Sequence, residues 1–226
     1  MLSRTSVKHW VLSQRNNMSD LVGLFDMDGT LFDYEGQLRK DLIELMSPDE
    51  ELPQDLYDES KPWIKARMNL IKSQPGWWRD LPPFQLGWDV FDEADKLGFN
   101  NHILTKGPWT KTQAWSEKVE CIQKHFLSNV GIDIVSCSPD SQNQSSKGGR
   151  YGRFLVDDYP AYVQDWLRWR PRGLVIMPAH WYNAEFAHGG KYWQANIIRY
   201  DGSNIEEVRD ALTAVKNRKD GQPLAF

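Results

Sequence analysis

Five short, mostly apolar runs constrain this chain more than any other feature. They are LVGLF at 21–25, HILT at 102–105, IDIVS at 132–136, FLV at 154–156 and LVIM at 174–177. Each is short for a helix and lacks the strict alternation of a strand with one wet face, so each suits a strand buried on both faces. Helical periodicity fills the segments between them. TKTQAWSEKVECIQKHF places Trp115, Val119, Ile122 and Phe126 on one helical face. WDVFDEADKLG spaces Trp88, Phe91, Ala94 and Leu97 by threes and stops at Gly98, a residue suited to a C-terminal cap. YPAYVQDWLRWRP buries Val163, Trp166 and Leu167 before Pro171 ends it. SNIEEVRDALTAV offers a capping box from Ser203 to Glu206 and an apolar face of Ile205, Val208, Leu212 and Val215. Strand and helix in alternation predict an α/β fold, a parallel sheet covered on both faces by helices.

Residues 37–82 break the alternation. They are polar, interrupted by Pro48, Pro53, Pro62 and Pro75, and hold helical stretches without a convincing strand. They read as a small helical cap insertion over the carboxyl edge of the sheet, where open α/β sheets bind ligands. The expected division is a leader at 1–19, a core at 20–36 and 83–226, and the insertion at 37–82. The leader contains Arg4, Lys8 and Arg15 and no acidic residue. It reads as a flexible lead-in, with an organellar transit peptide as the alternative.

Composition removes several function classes. No run of 18 apolar residues exists, which argues against a helical membrane span. A formal charge of −4 disfavours a protein that tracks long nucleic acid, yet is compatible with a small anionic substrate met by a few local cations. Cys121 and Cys137 have neither metal-like spacing nor a disulfide framework and read as reduced thiols, pointing to the cytoplasm. The sequence leaves a homodimer open.

The strand ends carry the chemistry. LVGLFDMDGTLFDYEG sets Asp26, Asp28, Asp33 and Glu35 after the first run; Thr105 and Lys106 close the second; Asp157 and Asp158 follow FLV; Lys147 precedes them in a Ser-, Gln- and Gly-rich stretch. A parallel sheet brings these ends to one edge. A solvated turn would explain Asp26 and Asp28 alone, but not the matching clusters. Closely packed carboxylates repel, and a bound Mg2+ relieves that with oxygen ligands and a substrate phosphate. Asp26 could then attack phosphorus while Asp28, two residues on, moves protons. Thr105 and Lys147 would hold phosphoryl oxygens, and Gly29 would allow a sharp turn with its amide open to the phosphate. Asp33 reads as a turn or hinge residue. Lys106 and Lys111 stay divided between phosphate contact and solvated surface, and the histidines form no metal pattern.

DMDGTLFD, Thr105, Lys147 and LVDD, in that order, resemble the four motifs of the haloacid dehalogenase-like phosphatase superfamily. The resemblance implies a Rossmann-like core and a Mg2+-dependent phosphomonoesterase working through an aspartyl-phosphate on Asp26, with Asp28 as acid/base. It also implies a metal site of Asp26, the Asp28 backbone carbonyl and Asp158, supported by Asp157. DYEG, GWWRDLPPF, the stretch after the second strand and the ten-residue spacing from Lys147 to Asp157 are similar to the 5′(3′)-deoxyribonucleotidases. That likeness implies a (deoxy)nucleoside monophosphate substrate with its base on Trp77 and Trp78; the other reading puts these two in the core of the insertion. Lys106 stands where that family has a small hydroxyl residue, and Leu86-Gly87-Trp88 replace a Pro-Gly-Ala-like helix entry. The alternatives are another small phosphometabolite, a nucleic-acid terminal phosphate, or a non-catalytic phosphate-binding protein of the same fold.

Overall fold

The computed structural model describes residues 21–58, 60–126, 130–136 and 146–219; the expected leader and Cys137 lie outside them. All five apolar runs are strands: β1 (Val22–Phe25), β2 (Asn100–Gly107), β3 (Gly131–Ser136), β4 (Phe154–Val156) and β5 (Leu174–Pro178). A sixth, β6 (Ile197–Tyr200), extends the sheet and was not expected. All pairings are parallel, in the order β3-β2-β1-β4-β5-β6, a Rossmann-like topology. The signal for β6 is weak because IIRY follows a stretch mixing glycines, aromatics and polar groups.

Side-chain alternation separates two cores. Phe25, Ile103, Phe154, Val156 and Ile176 point to one face, Leu24, Leu104, Leu155, Val175 and Met177 to the other. Helices α3 (Gln85–Lys96), α4 (Thr112–His125) and α6 (Ile205–Asn217) contribute Val90, Phe91, Ala114, Cys121, Ile122, Val208 and Leu212 to the first face. Helix α5 (Pro160–Trp169) covers the second with Val163, Trp166 and Leu167. Gly98, at φ +80°, follows the end of α3 as expected.

Two helical details differ from expectation. The buried stripe of α4 is Ala114, Glu117, Lys118, Cys121 and Ile122, rotated away from Trp115 and Val119. Two charged residues occupy its centre because each meets polar groups inside the fold: Glu117 the Gly76 and Trp78 amides, Lys118 the Thr105 hydroxyl and the Asp28 carboxylate. At α6 the N-cap is Asn204 and not Ser203, whose hydroxyl instead donates to Asp201, so the Ser203–Glu206 box does not form.

Between β1 and α3 lie helices α1 (Tyr34–Glu44) and α2 (Pro62–Ile71). They have a core of their own in Leu38, Leu42, Leu56, Ile64, Met68 and Ile71. The chain leaves and returns side by side: the Asp33 amide donates to Pro82 O (2.8 Å) and the Phe84 amide to Leu31 O (2.9 Å). Asp33 caps α1, accepting from the Gly36 amide at 2.9 Å. Among the described residues no helix is long and apolar enough to cross a membrane.

Candidate active site

The strand order reverses between β1 and β4, and in open α/β sheets ligands bind beside such a switch point, outside the carboxyl ends of the strands. The Asp26 amide donates to Val156 O, which sets the turn after β1 directly against the end of β4. Within that turn the Leu31 and Phe32 amides both donate to Met27 O, and Gly29 adopts φ +77°. A Cβ on Gly29 would stand 2.6 Å from Asp158 Oδ2, so both the conformation and the crowding require glycine. The Gly29 amide is spent within the turn, donating to Phe32 O at 2.8 Å. The expectation that it is open to phosphate is therefore corrected.

Asp26, Asp157 and Asp158 converge, each buried, with one oxygen apiece lying within 4.8 Å of the others. Lys147 is 1% exposed and bridges Asp26 Oδ1 (2.7 Å) and Asp157 Oδ2 (2.8 Å). Burial opposes its ammonium, but Asp157 and Asp26 outweigh that and raise its pKa. Burial raises the carboxyls of Asp157 and Asp158 above the usual range, and Asp26 adds to both. Asp158 is held on both oxygens, by the hydroxyls of Thr30 (2.8 Å) and Tyr182. Its amide returns a bond to the Thr30 hydroxyl at 3.1 Å.

Three carboxylates facing one ammonium leave a formal charge of −2 in a buried, all-oxygen cluster. That surplus fits a hard divalent cation such as Mg2+, which prefers oxygen ligands. Asp26, Asp157 and Asp158 are the side chains that would hold it. The Asp28 carboxylate, whose expected part is proton transfer while its backbone carbonyl faces the metal, pairs with a different lysine. Its Oδ2 accepts from Lys118 at 2.5 Å, and Oδ1 is buried without a hydrogen-bond partner among the described residues. Burial raises the Asp28 carboxyl, Lys118 opposes, and Asp26 adds to the rise.

Thr105 and Lys147 are both buried behind the cavity surface and do not line it. The Thr105 hydroxyl accepts from Lys118 at 2.9 Å, which leaves its own proton to donate. Lys106 does line the cavity and lies 5.4 Å above the Tyr162 ring; Lys147 approaches the same ring at 4.6 Å.

The cavity above these groups measures about 710 Å³ and is walled by both the sheet edge and the helical insertion. Its walls are rich in aromatic residues, among them Tyr34, Tyr57, Tyr159, Tyr162 and Trp181. Trp78 lines it but is 5% exposed, with Tyr34 stacked on it (5.6 Å, 28°) and Lys118 5.0 Å from its ring centre. Trp77 does not line it; its indole donates to Asp41 (2.7 Å) and its ring packs edge-on against Trp78. Trp78 thus belongs to the core under the sheet, and Trp77 packs between that core and the core of the insertion, with neighbouring side chains against both rings.

Several residues of the site were not singled out from the sequence. Lys118 lies in the middle of an apolar helical stripe, bracketed by Ala114 and by Cys121-Ile122, and a charge at that position was its signal. Tyr182 and His180 follow the end of β5, an edge where the strand-end rule would have placed them. His180 stacks between Phe84 (4.8 Å) and Tyr182 (4.9 Å) and donates from Nε2 to Gly29 O at 2.6 Å. Burial lowers its pKa, and the bond to Gly29 O opposes that shift. Asn183 ties the segment down by donating to Asp158 O (3.0 Å) and Pro178 O (2.8 Å).

No family model matches the chain, and no curated protein does. Among solved structures it is similar to a haloacid dehalogenase-like family hydrolase from Xanthomonas campestris, at 11% identity and TM-score 0.49, covering 87% of this chain and 96% of that one. It is also similar to proteins described as β-phosphoglucomutases. One from Thermotoga maritima is 14% identical with TM-score 0.47, covering 85% and 98%; one from Bacteroides vulgatus is 12% identical with TM-score 0.45, covering 95% and 98%. None of the three scores reaches 0.5, and the chemistry of the site rests on its own residues.

Proposed function

We propose that the chain is a phosphomonoester hydrolase of the haloacid dehalogenase-like type, with residues 37–82 serving as its cap. One observation carries this reading: Asp26 and Asp28 share a turn at the switch point, each with its own buried lysine. Mg2+ held by Asp26, Asp157 and Asp158 would offset their charge and polarise the phosphoryl oxygens. Lys147 fixes the Asp26 carboxylate, whose oxygen attacks phosphorus as the bond to the leaving oxygen breaks. Asp28, kept protonatable by burial, delivers its proton to that leaving oxygen. The Asp28 carboxylate then takes a proton from water, which attacks phosphorus, frees Asp26 and releases inorganic phosphate. Lys118 holds Asp28 in place through both steps and orients the Thr105 hydroxyl.

For the substrate, the aromatic walls and a volume near 710 Å³ support a (deoxy)nucleoside monophosphate. Tyr57, Tyr159 and Trp181, 65%, 49% and 43% exposed, are better placed to meet a base than Trp77 or Trp78.

The test is phosphate release from a panel of nucleoside 5′- and 3′-monophosphates and small sugar phosphates, with and without Mg2+. Asp26→Asn is expected to lower release by at least roughly 10³-fold without unfolding the protein. Release that survives Asp26→Asn, or is indifferent to chelation, overturns the mechanism. Equal efficiency on sugar phosphates overturns the nucleotide preference.

A further inference from the structure

Lys72, at the C-cap of α2, and Lys111, at the N-cap of α4, both line the cavity. Both are half-buried. Neither makes an ion pair among the described residues. Lys111 is held by Asn69 O (3.2 Å) and the Ser73 hydroxyl, which explains its position at the end of α2. Lys72 has no such explanation: its ammonium lies 6.0 Å from the Tyr34 ring, with no carboxylate against it among the described residues. Burial lowers its pKa, Lys111 beside it lowers it further, and Asp28 opposes. Asp28 cannot serve as its counter-ion, because that carboxylate is already paired with Lys118. The other acids on the cavity wall are engaged as well. Glu35 accepts from Arg39 and from the Trp181 indole, and Asp55 from the Tyr57 amide.

Two neighbouring ammoniums, drawn out of bulk water and facing a cavity, repel each other unless an anion lies between or in front of them. We propose that Lys72 and Lys111 bind a second anionic group on the substrate, so that the phosphomonoester cleaved at Asp26 carries a phosphate or carboxylate on its leaving group. The proposal rests on the phosphomonoesterase reading and sharpens it. If the leaving group is a nucleoside, the substrate is a nucleoside bisphosphate in preference to a monophosphate. If it is a small polyol, the substrate is a bisphosphate or a phospho-carboxylic acid. The shared chemistry is one reacting phosphate and one held anion within the reach of a single cavity.

Matched pairs decide it. Phosphate release by the Mg2+-loaded full chain is measured on adenosine 3′,5′-bisphosphate against adenosine 5′-monophosphate, and on 3-phosphoglycerate against glycerol 3-phosphate. The expected result is a KM at least tenfold lower for the doubly anionic member of one pair, and the pair that responds identifies the source of the anion. Lys72→Met should shrink that KM ratio at least tenfold, while Lys72→Arg keeps it; Lys111→Met provides a second variant should the first unfold. A wild-type ratio near one in both pairs, or a ratio unmoved by Lys72→Met, overturns the proposal. Calorimetric titration of the same four compounds into Asp26→Asn separates this from the catalytic reading. Absent phosphate release with a preserved binding preference sinks only the mechanism, whereas release without any binding preference sinks only the second-anion site.

Discussion

Lys118 is the side chain whose role depends most on its surroundings. It is 0% exposed, donates to Asp28 Oδ2 and Thr105 Oγ1, and covers a face of Trp78. Removing it leaves neither Asp28 oxygen with a side-chain partner among the described residues and takes away the paired ammonium. Breaking a buried pair costs about 3–5 kcal/mol, and the 25% exposure of the Asp28 side chain to the cavity puts this case at the lower end. Lys118→Ala is therefore expected to lower unfolding stability by roughly 3 kcal/mol in urea titration. Adding Asp28→Asn should recover most of the loss. If the double variant is no more stable than the single one, Lys118 acts by packing on Trp78 and not by charge. Its importance was not legible from residue type, since a lysine on a helix usually lies on the wet face.

At the scale of elements, α4 ties the insertion to the core through a carboxylate. Glu117 accepts from the Gly76 amide (2.7 Å), the Trp78 amide (3.2 Å) and the Gln113 side chain. The GWW segment is thereby held by backbone bonds as well as by its rings. Glu117→Ala strands two buried donors, each costing about 1–3 kcal/mol. The amides of Gly76 and Trp78 should then exchange hydrogen at least roughly tenfold faster, while those of α1 keep their protection. Unchanged exchange at both amides would show that ring packing alone fixes the segment. Gly87 marks another junction of elements: a Cβ there would fall 1.8 Å from Thr30 O, so α3 reaches the turn after β1 only because this position is bare. The helices themselves were legible from periodicity. The rotated face of α4 and the shifted cap of α6 were not, because polar partners decided them and the apolar spacing does not register those.

The whole molecule gathers carboxylates from two strand ends into one buried cluster, and its stability should report that. In the metal-free protein Asp157 and Asp158 have pKa values raised above those of an unfolded chain. Their folded forms hold protons more tightly, so this contribution is complete below about pH 4 and is lost as pH rises towards and through neutrality. The metal-free melting temperature is expected to fall between about pH 5 and pH 8. Mg2+ should raise it, and more at the higher pH, where protons no longer compete for the same oxygens. Differential scanning calorimetry with and without chelator checks both statements. A metal-free protein that grows more stable over that range, with no response to Mg2+, would rule out the cluster as a cation site.

The strands β1 to β5 and the parallel α/β class were legible in the sequence itself, as were Asp26, Asp28, Thr105, Asp157 and Asp158 as residues at strand ends, while Lys147 lies in a short helical turn before β4. Apolar runs and the polar residues that end them are local patterns, and a parallel sheet sends such ends to one edge. Only the tertiary structure decided which groups meet there. It paired Lys147 with Asp26 and Asp157, and Lys118 with Asp28. It spent the Gly29 amide inside a turn and covered Trp77 and Trp78 with neighbours. It also left Lys72 facing the cavity without a carboxylate partner among the described residues. Burial and pairing are properties of the assembled neighbourhood, and residues 128 apart, such as Thr30 and Asp158, acquire theirs only when the sheet closes.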